Sequence, residues 1–233
     1  MAAASAGLVV IILAIFVIWG RASQDDLRPD NLAERMESWL ERVKTVQGEV
    51  QLISGVVVLE QELWVERPRL LRTEIEDGPP ALAPLGENQK TTLVLTEDEA
   101  WFYNPSLGFV TVADRTTYTP EAGLDIGGSI LESMPEDLLA LLRTARDIQI
   151  LGEDVVADRE AVRVQLLLAD AENPFGARRL NVALDQEYFY PLSIESDSGF
   201  TLRFRSIRFN ESIDPATFVF VPPPGIVVNR VAE

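Results

Sequence analysis

The stretch LWVERPRLLRTE, Leu63–Glu74, decides the fold. Trp64 and Val65 suit a pleated, half-buried surface, and the run that starts at Leu70 is strand-like again. Pro68 stands between the two. It has no N–H for a sheet ladder, so it marks the bend from one strand to the next, where a missing donor costs little. Arg67 and Arg69 flank that bend in a chain with 37 acidic and 20 basic side chains.

Outward from this bend the period stays at two. Gly48 to Pro68 reads as two strands broken near Ser54-Gly55, and the third strand after Pro68 closes at Gly78-Pro79-Pro80. The segment from Pro79 to Lys90 is a loop, and TTLVLTEDEAWFYNP is a strand pair turning at Glu97-Asp98. GFVTVADR completes another hairpin arm. Upstream, Leu32, Met36, Trp39, Leu40, Val43 and Val46 recur at three- and four-residue spacing, which predicts a leading amphipathic helix with Asn31 and Glu34 as its capping box. Downstream, Pro120 to Arg146 reads as helical but broken at Gly127-Gly128 and at Pro135, with Ile130, Leu131, Leu138 and Leu142 on its apolar face. Five further strand-like runs follow, from IQILGEDVV to FTLRFRSIRFN, and the chain closes on FVFVPPPGIVV.

This order predicts an α+β fold. One strongly curved antiparallel sheet of about 10 or 11 strands forms an incomplete barrel, with a leading helix and an interrupted helical insertion over one face. Large apolar side chains on that face, Leu63, Val65, Leu71, Leu93, Leu95, Trp101, Tyr103, Val164, Leu166 and Val182 among them, would line a cavity if no partner sheet fills it; each one taken singly suits an ordinary core. The breaks in the insertion suit a lid that moves, and equally an irregular connection.

Composition narrows the chemistry. The net charge of -17 argues against nucleic-acid binding, which needs clustered cations. With no cysteine and no histidine, thiol catalysis, thiolate or imidazole metal sites, disulfides and Ser-His-Asp triads are excluded. Glu60 and Glu62 alternate with apolar neighbours, which places them on a solvated strand face rather than in a glycosidase pair. No phosphate-binding glycine motif or calcium loop is present, so no cofactor and no metal is expected. Arg203, Arg205 and Arg208 form a late basic cluster, read as an outer face pairing with carboxylates.

The N-terminus is apolar without a charged side chain from Ala2 to Gly20, long enough for a membrane span. It lacks a basic n-region, which favours a retained anchor over a cleaved signal peptide, while Gly20-Arg21-Ala22 offers a small-x-small cleavage site. Arg21 and Arg28 after the span oppose export by the positive-inside rule. The expected division is an anchor or signal peptide over 1–22, a linker over 23–29 and one domain over 30–233.

Three stretches in order, LWVERP, WFYNP (Trp101–Pro105) and FVFVPPPGIVV (Phe218–Val228), resemble the LolA-like superfamily of lipoprotein carriers and related lipid-binding proteins. The resemblance spans roughly Leu32 to Val228. It implies an incomplete barrel with a helical lid over a hydrophobic cavity for acyl chains, and it gives Arg67 the place of the arginine that ties barrel to lid. It implies a non-enzymatic, monomeric protein on the extracytoplasmic side of the bacterial cytoplasmic membrane, whose partner is a lipid or an acylated lipoprotein and which meets the membrane through its N-terminal segment. The alternative is a sensor or regulatory module of the same fold that binds a membrane signalling protein. The anchor departs from a shuttling carrier, and the loop from Pro79 to Lys90 is longer than the carrier's hairpin needs.

Overall fold

The computed structural model describes residues 27–75, 90–116 and 128–231. The N-terminal span, most of the linker, the Pro79–Lys90 loop up to residue 89, Glu76, Asp77 and the Gly127 half of the Gly-Gly break lie outside these residues. No helix among those described is long and apolar enough to cross a membrane.

The leading helix, α1 (Leu32–Leu40), follows a single 3-10 turn at Pro29–Asn31. That turn shifts the helix start: Asn31 Oδ1 accepts from the Arg28 backbone N–H at 3.0 Å, one turn earlier than the expected box with Glu34. Leu32, Met36 and Leu40 are buried, and Lys44 Nζ donates to the Glu41 carbonyl at 2.9 Å just beyond the helix end.

Six strands follow: β1 (Thr45–Ser54), β2 (Val57–Glu66), β3 (Leu70–Ile75), β4 (Thr91–Leu95), β5 (Glu99–Asn104) and β6 (Phe109–Asp114). Each pairs antiparallel with the next. After helix α2 (Gly128–Thr144) come β7 (Asp147–Val156), β8 (Arg159–Leu167), β9 (Arg179–Asp185), β10 (Pro191–Ser196) and β11 (Phe200–Phe209), again a meander. β11 then pairs with β1, joining the two meanders into one sheet. A short β12 (Val227–Arg230) adds in parallel to β6, giving the order β12-β6-β5-β4-β3-β2-β1-β11-β10-β9-β8-β7. The sheet is curved and unclosed, with β12 and β7 at its two edges.

One face of the sheet carries the core, and we call it the inner face. Cross-strand partners share a face, so Val46, Val65, Leu71, Leu95 and Ala100 form one inner row across β1 to β5. Leu52, Leu202, Ile194, Val182 and Val164 continue that face on the other meander. Both helices pack against it within one buried cluster.

The helical insertion corrects one expectation. α2 runs unbroken through Pro135. A proline removes one backbone hydrogen bond, but Leu131, Met134, Leu138 and Leu142 on both sides of it are buried at 5% exposure or less, so packing against the sheet holds the helix together.

Candidate functional site

The Leu63–Glu74 stretch forms the end of β2, a turn and most of β3, with Val65 opposite Leu71 on the inner face. The Arg67–Pro68 peptide in the turn is cis. Arg67 extends from this turn to two helices at once. Its Nη1 donates to the Leu40 carbonyl at the end of α1 at 2.8 Å, and its Nη2 pairs with the Glu136 carboxylate on α2. Two more ion pairs flank α2: Arg115, just after β6, with Glu132, and Arg143 with Glu37 of α1. Glu132 and Glu136 are four residues apart and so share a side of the helix. Below this junction Tyr190 is fully buried, packed edge-on to Phe204 and Phe209. Burial pushes its phenol pKa well above the ordinary tyrosine range, with the nearby Arg67 opposing and Glu136 adding.

The predicted lid residues divide cleanly. Leu131, Leu138 and Leu142 are buried against the sheet, and Ile130 packs on the same cluster half-buried. Met134, which the sequence reading did not single out, completes their stripe.

Of the predicted cavity residues, Leu63, Val65, Leu71, Leu93, Leu95, Val164, Leu166 and Val182 share the inner face and one buried cluster. Trp101 and Tyr103 do not, which corrects their assignment. Strand alternation turns them outward from Ala100 and Phe102. They pack on the outer face with Val110 and Val112, beneath Phe220 and Ile226 of the C-terminal segment. Trp101 and Phe220 ring centroids are 5.8 Å apart. So two of the resembling motifs, WFYNP and FVFVPPPGIVV, meet each other on the outside of the sheet.

The inner face is not uniformly apolar. Next to the helices it is aliphatic. Farther along the strands buried Thr73, Thr111, Gln61, Thr91 and Asn104 stand among Leu63, Ile75, Leu93 and Phe102 on the same face. Gln61 Oε1 accepts from Thr73 Oγ1, and Asn104 Oδ1 accepts from the Ser106 backbone N–H at 2.9 Å. The amide nitrogens of Gln61 and Asn104 are buried with no hydrogen-bond partner among the described residues.

On the outer face Glu60 and Glu62 are solvated and paired, as read from alternation, while Glu74 beside them is largely covered. Lys90 Nζ lies 2.9 Å from Glu62 and 3.2 Å from Glu74, and Arg205 lies 3.8 Å from Glu60. They border a shallow groove of about 430 Å³ lined by Glu49, Glu60, Glu62, Glu74 and Arg205. Among the described residues no group of three or more carboxylates is placed to hold a metal ion.

No family model matches the chain. An uncharacterized protein of Methanocaldococcus jannaschii is 21% identical over 225 residues, which cover 92% of this chain and 58% of that protein. The chain therefore spans less than two thirds of the length of the curated relative it matches. Among solved structures, an uncharacterized conserved protein from Thermus thermophilus superposes with a TM-score of 0.53 at 15% identity, covering 87% of this chain and 98% of that one. MucB superposes with a TM-score of 0.56 at 12% identity, covering 85% of this chain and 64% of MucB. MucB in complex with MucA(peri) gives 0.51 at 13%, over 88% and 63%; the MucA/MucB complex is also known from Pseudomonas aeruginosa. At these identities the likeness is one of fold. The shared architecture is an incomplete, unclosed α+β barrel.

Proposed function

We propose that the chain is a non-enzymatic, extracytoplasmic lipid- or acylated-lipoprotein-binding protein, held at the cytoplasmic membrane by its N-terminal span over 1–22. In this reading α2 is the lid, the inner face of the sheet receives acyl chains, and Arg67 is the latch. The observation that carries it is how α2 is attached. Its apolar stripe covers the inner face, yet its rim is fixed by side-chain ion pairs to Arg67, Arg115 and Glu37 rather than by sheet pairing. Partly exposed ion pairs of this kind contribute about 0–1 kcal/mol each, so they position the helix without locking it.

Magnitudes make the exchange feasible. The four stripe residues Leu131, Met134, Leu138 and Leu142 stabilise the closed state by roughly 1.5–3 kcal/mol apiece, about 6–12 kcal/mol in all. An acyl chain of about 12–16 methylenes gains roughly 10–13 kcal/mol on burial, at ~0.8 kcal/mol per CH₂. A single chain on the inner face therefore roughly matches the helix stripe that it would displace.

The test is photolabelling. The full chain in vesicles containing a phospholipid with a diazirine at the end of one acyl chain is irradiated, and adducts are mapped by peptide mass spectrometry. Adducts on inner-face peptides of β2 to β5 are expected. Adducts confined to residues 1–26 would leave only a membrane anchor and sink the lipid-binding reading.

A second reading is favoured by one observation, the fold likeness to MucB, which has been solved in complex with MucA. A sensor module of this fold would bind a membrane signalling protein. Recovery of a transmembrane regulator with the full chain, together with no inner-face adducts, would select it.

A further inference from the structure

We infer that the inner face orients its ligand, taking the oxygen-rich polar end of a two-chain lipid at Gln61 and Asn104 and the acyl chains toward α2. This rests on the lipid-binding reading and adds to it a direction and a headgroup chemistry.

The warrant is a polarity gradient with two orphaned donors. At the end of the strands near Arg67, the inner row is Val65, Leu71, Leu95 and Ala100. Four residues farther along, the same face presents Gln61, Ile75, Thr91 and Asn104 across β2 to β5, and the row between holds Leu63, Thr73, Leu93, Phe102 and Thr111, so polar groups enter the face from this row onward. At about 3.3 Å per residue, the apolar and polar rows are roughly 13 Å apart along the strands. An amphiphile laid along them has its chains at one end and its polar group at the other.

The two amides are held so that a donor is left over. The Asn104 oxygen is fixed by the Ser106 backbone N–H, which can only donate, so the Asn104 NH₂ must point away from it. The Gln61 oxygen takes the Thr73 hydroxyl, leaving its NH₂ without an acceptor among the described residues; a hydroxyl can also accept, so of the two amides only Asn104 has its orientation fixed by its partner. Both residues are 3% exposed or less. A buried N–H without an acceptor is costly, and nearly all such groups in proteins find one. The Asn104 orphan is an amide donor, and so is that of Gln61 as it is oriented here, so the matching ligand groups are acceptors without protons of their own: ester carbonyls and phosphate oxygens.

The span between them sets the size of the head. Gln61 on β2 and Asn104 on β5 are three strands apart, about 14 Å along the sheet before curvature brings the side chains closer. A single carboxyl group reaches one of them at a time. A glycerophospholipid head, with two esters and a phosphate, offers oxygens to both. The inferred class is therefore a diacylated anionic glycerolipid rather than a free fatty acid.

The experiment uses the full chain in vesicles of phosphatidylglycerol carrying either of two photoreactive probes. One bears the diazirine on the glycerol headgroup, the other at the tip of an acyl chain. Headgroup adducts are expected on the peptides that hold Gln61, Thr91 and Asn104, and tail adducts near Leu71, Leu95 and Leu138. Gln61→Glu and Asn104→Asp keep the oxygens that serve Thr73 and Ser106 and replace each free NH₂ with a second carboxylate oxygen. Each should lower headgroup labelling at least fivefold and leave labelling by a headless diazirine alkane unchanged. Gln61→Met, which adds no buried charge, should do the same. Inner-face labelling with head and tail positions reversed or intermixed overturns the orientation while leaving lipid binding intact. Equal headgroup labelling in the variants overturns it as well. No inner-face labelling by either probe removes the lipid-binding reading itself.

Discussion

Arg67 joins three elements with one guanidinium: the β2–β3 turn that carries it, the last carbonyl of α1 and a carboxylate on α2. Composition shows only a cation among many carboxylates, and the resemblance alone singles it out. Its partner Glu136 is 69 residues away, and no local pattern links the two. Replacing Arg67 with Leu should cost roughly 1–2 kcal/mol of stability in a denaturant titration, the sum of one hydrogen bond and one half-exposed ion pair. Lipid release should accelerate by a larger factor than that loss implies. A stability loss above about 4 kcal/mol with unchanged release would make Arg67 a structural residue. Tyr190 beneath it supplies a pH signature. Its folded pKa lies above its unfolded value near 10, so the folded state keeps a proton that the unfolded state loses. Its contribution is fully present below pH 10 and declines as pH rises through the folded pKa, by up to about 1.4 kcal/mol per pH unit. Tyr190→Phe should flatten the alkaline limb of stability against pH; an unchanged slope would show that burial does not hold Tyr190 neutral.

At the scale of elements, strands and turns were legible because alternation and Gly/Pro punctuation are local. The β1–β2 turn falls at Gly55, which has φ +59°, and β4 turns into β5 at Glu97-Asp98, both where the sequence places them. Helix α2 was misread at Pro135 because a local rule for proline gave way to tertiary packing of the leucine stripe. Trp101 and Tyr103 were assigned to the wrong face for a related reason. β5 is buried on both sides, so its sequence shows no polar face to set the register. What buries the outer side is the C-terminal segment, more than a hundred residues later. The β1–β11 ladder holds a further feature invisible to pattern. Glu49 pairs with Ser206 and Val50 with Phe204, so Arg205 is the extra residue of a β-bulge. That bulge brings the Ser206 carbonyl to 2.1 Å from where a Cβ on Gly48 would be. Gly48→Ala should therefore destabilise by about 1–3 kcal/mol in a thermal or urea melt. A neutral outcome would mean the bulge can shift without cost.

The whole molecule follows from two meanders joined edge to edge, with the helices packed on one face. Sequential pairing within each meander was readable from short connections. The joint between them was not, since Val46 and Phe209 meet across the length of the domain, nor was β12, which lies parallel to β6 and is exposed along its length. The eight aliphatic residues of the inner face were identifiable as a set because one side of each strand is apolar. The polar row of Gln61 and Asn104 was not, because a single buried amide in a strand resembles any outward polar residue until the register is known.

For lipid to reach the inner face α2 must lift, and the absence of cysteine makes that requirement directly testable. Arg115→Cys and Glu132→Cys place two unique thiols across the rim of α2, where a cleavable bis-maleimide can bridge them. The bridged protein should lose inner-face photolabelling by the acyl-tip probe, and cleaving the bridge should restore it. Labelling of the inner face that persists with α2 bridged, or that is absent before and after cleavage, would contradict the lid.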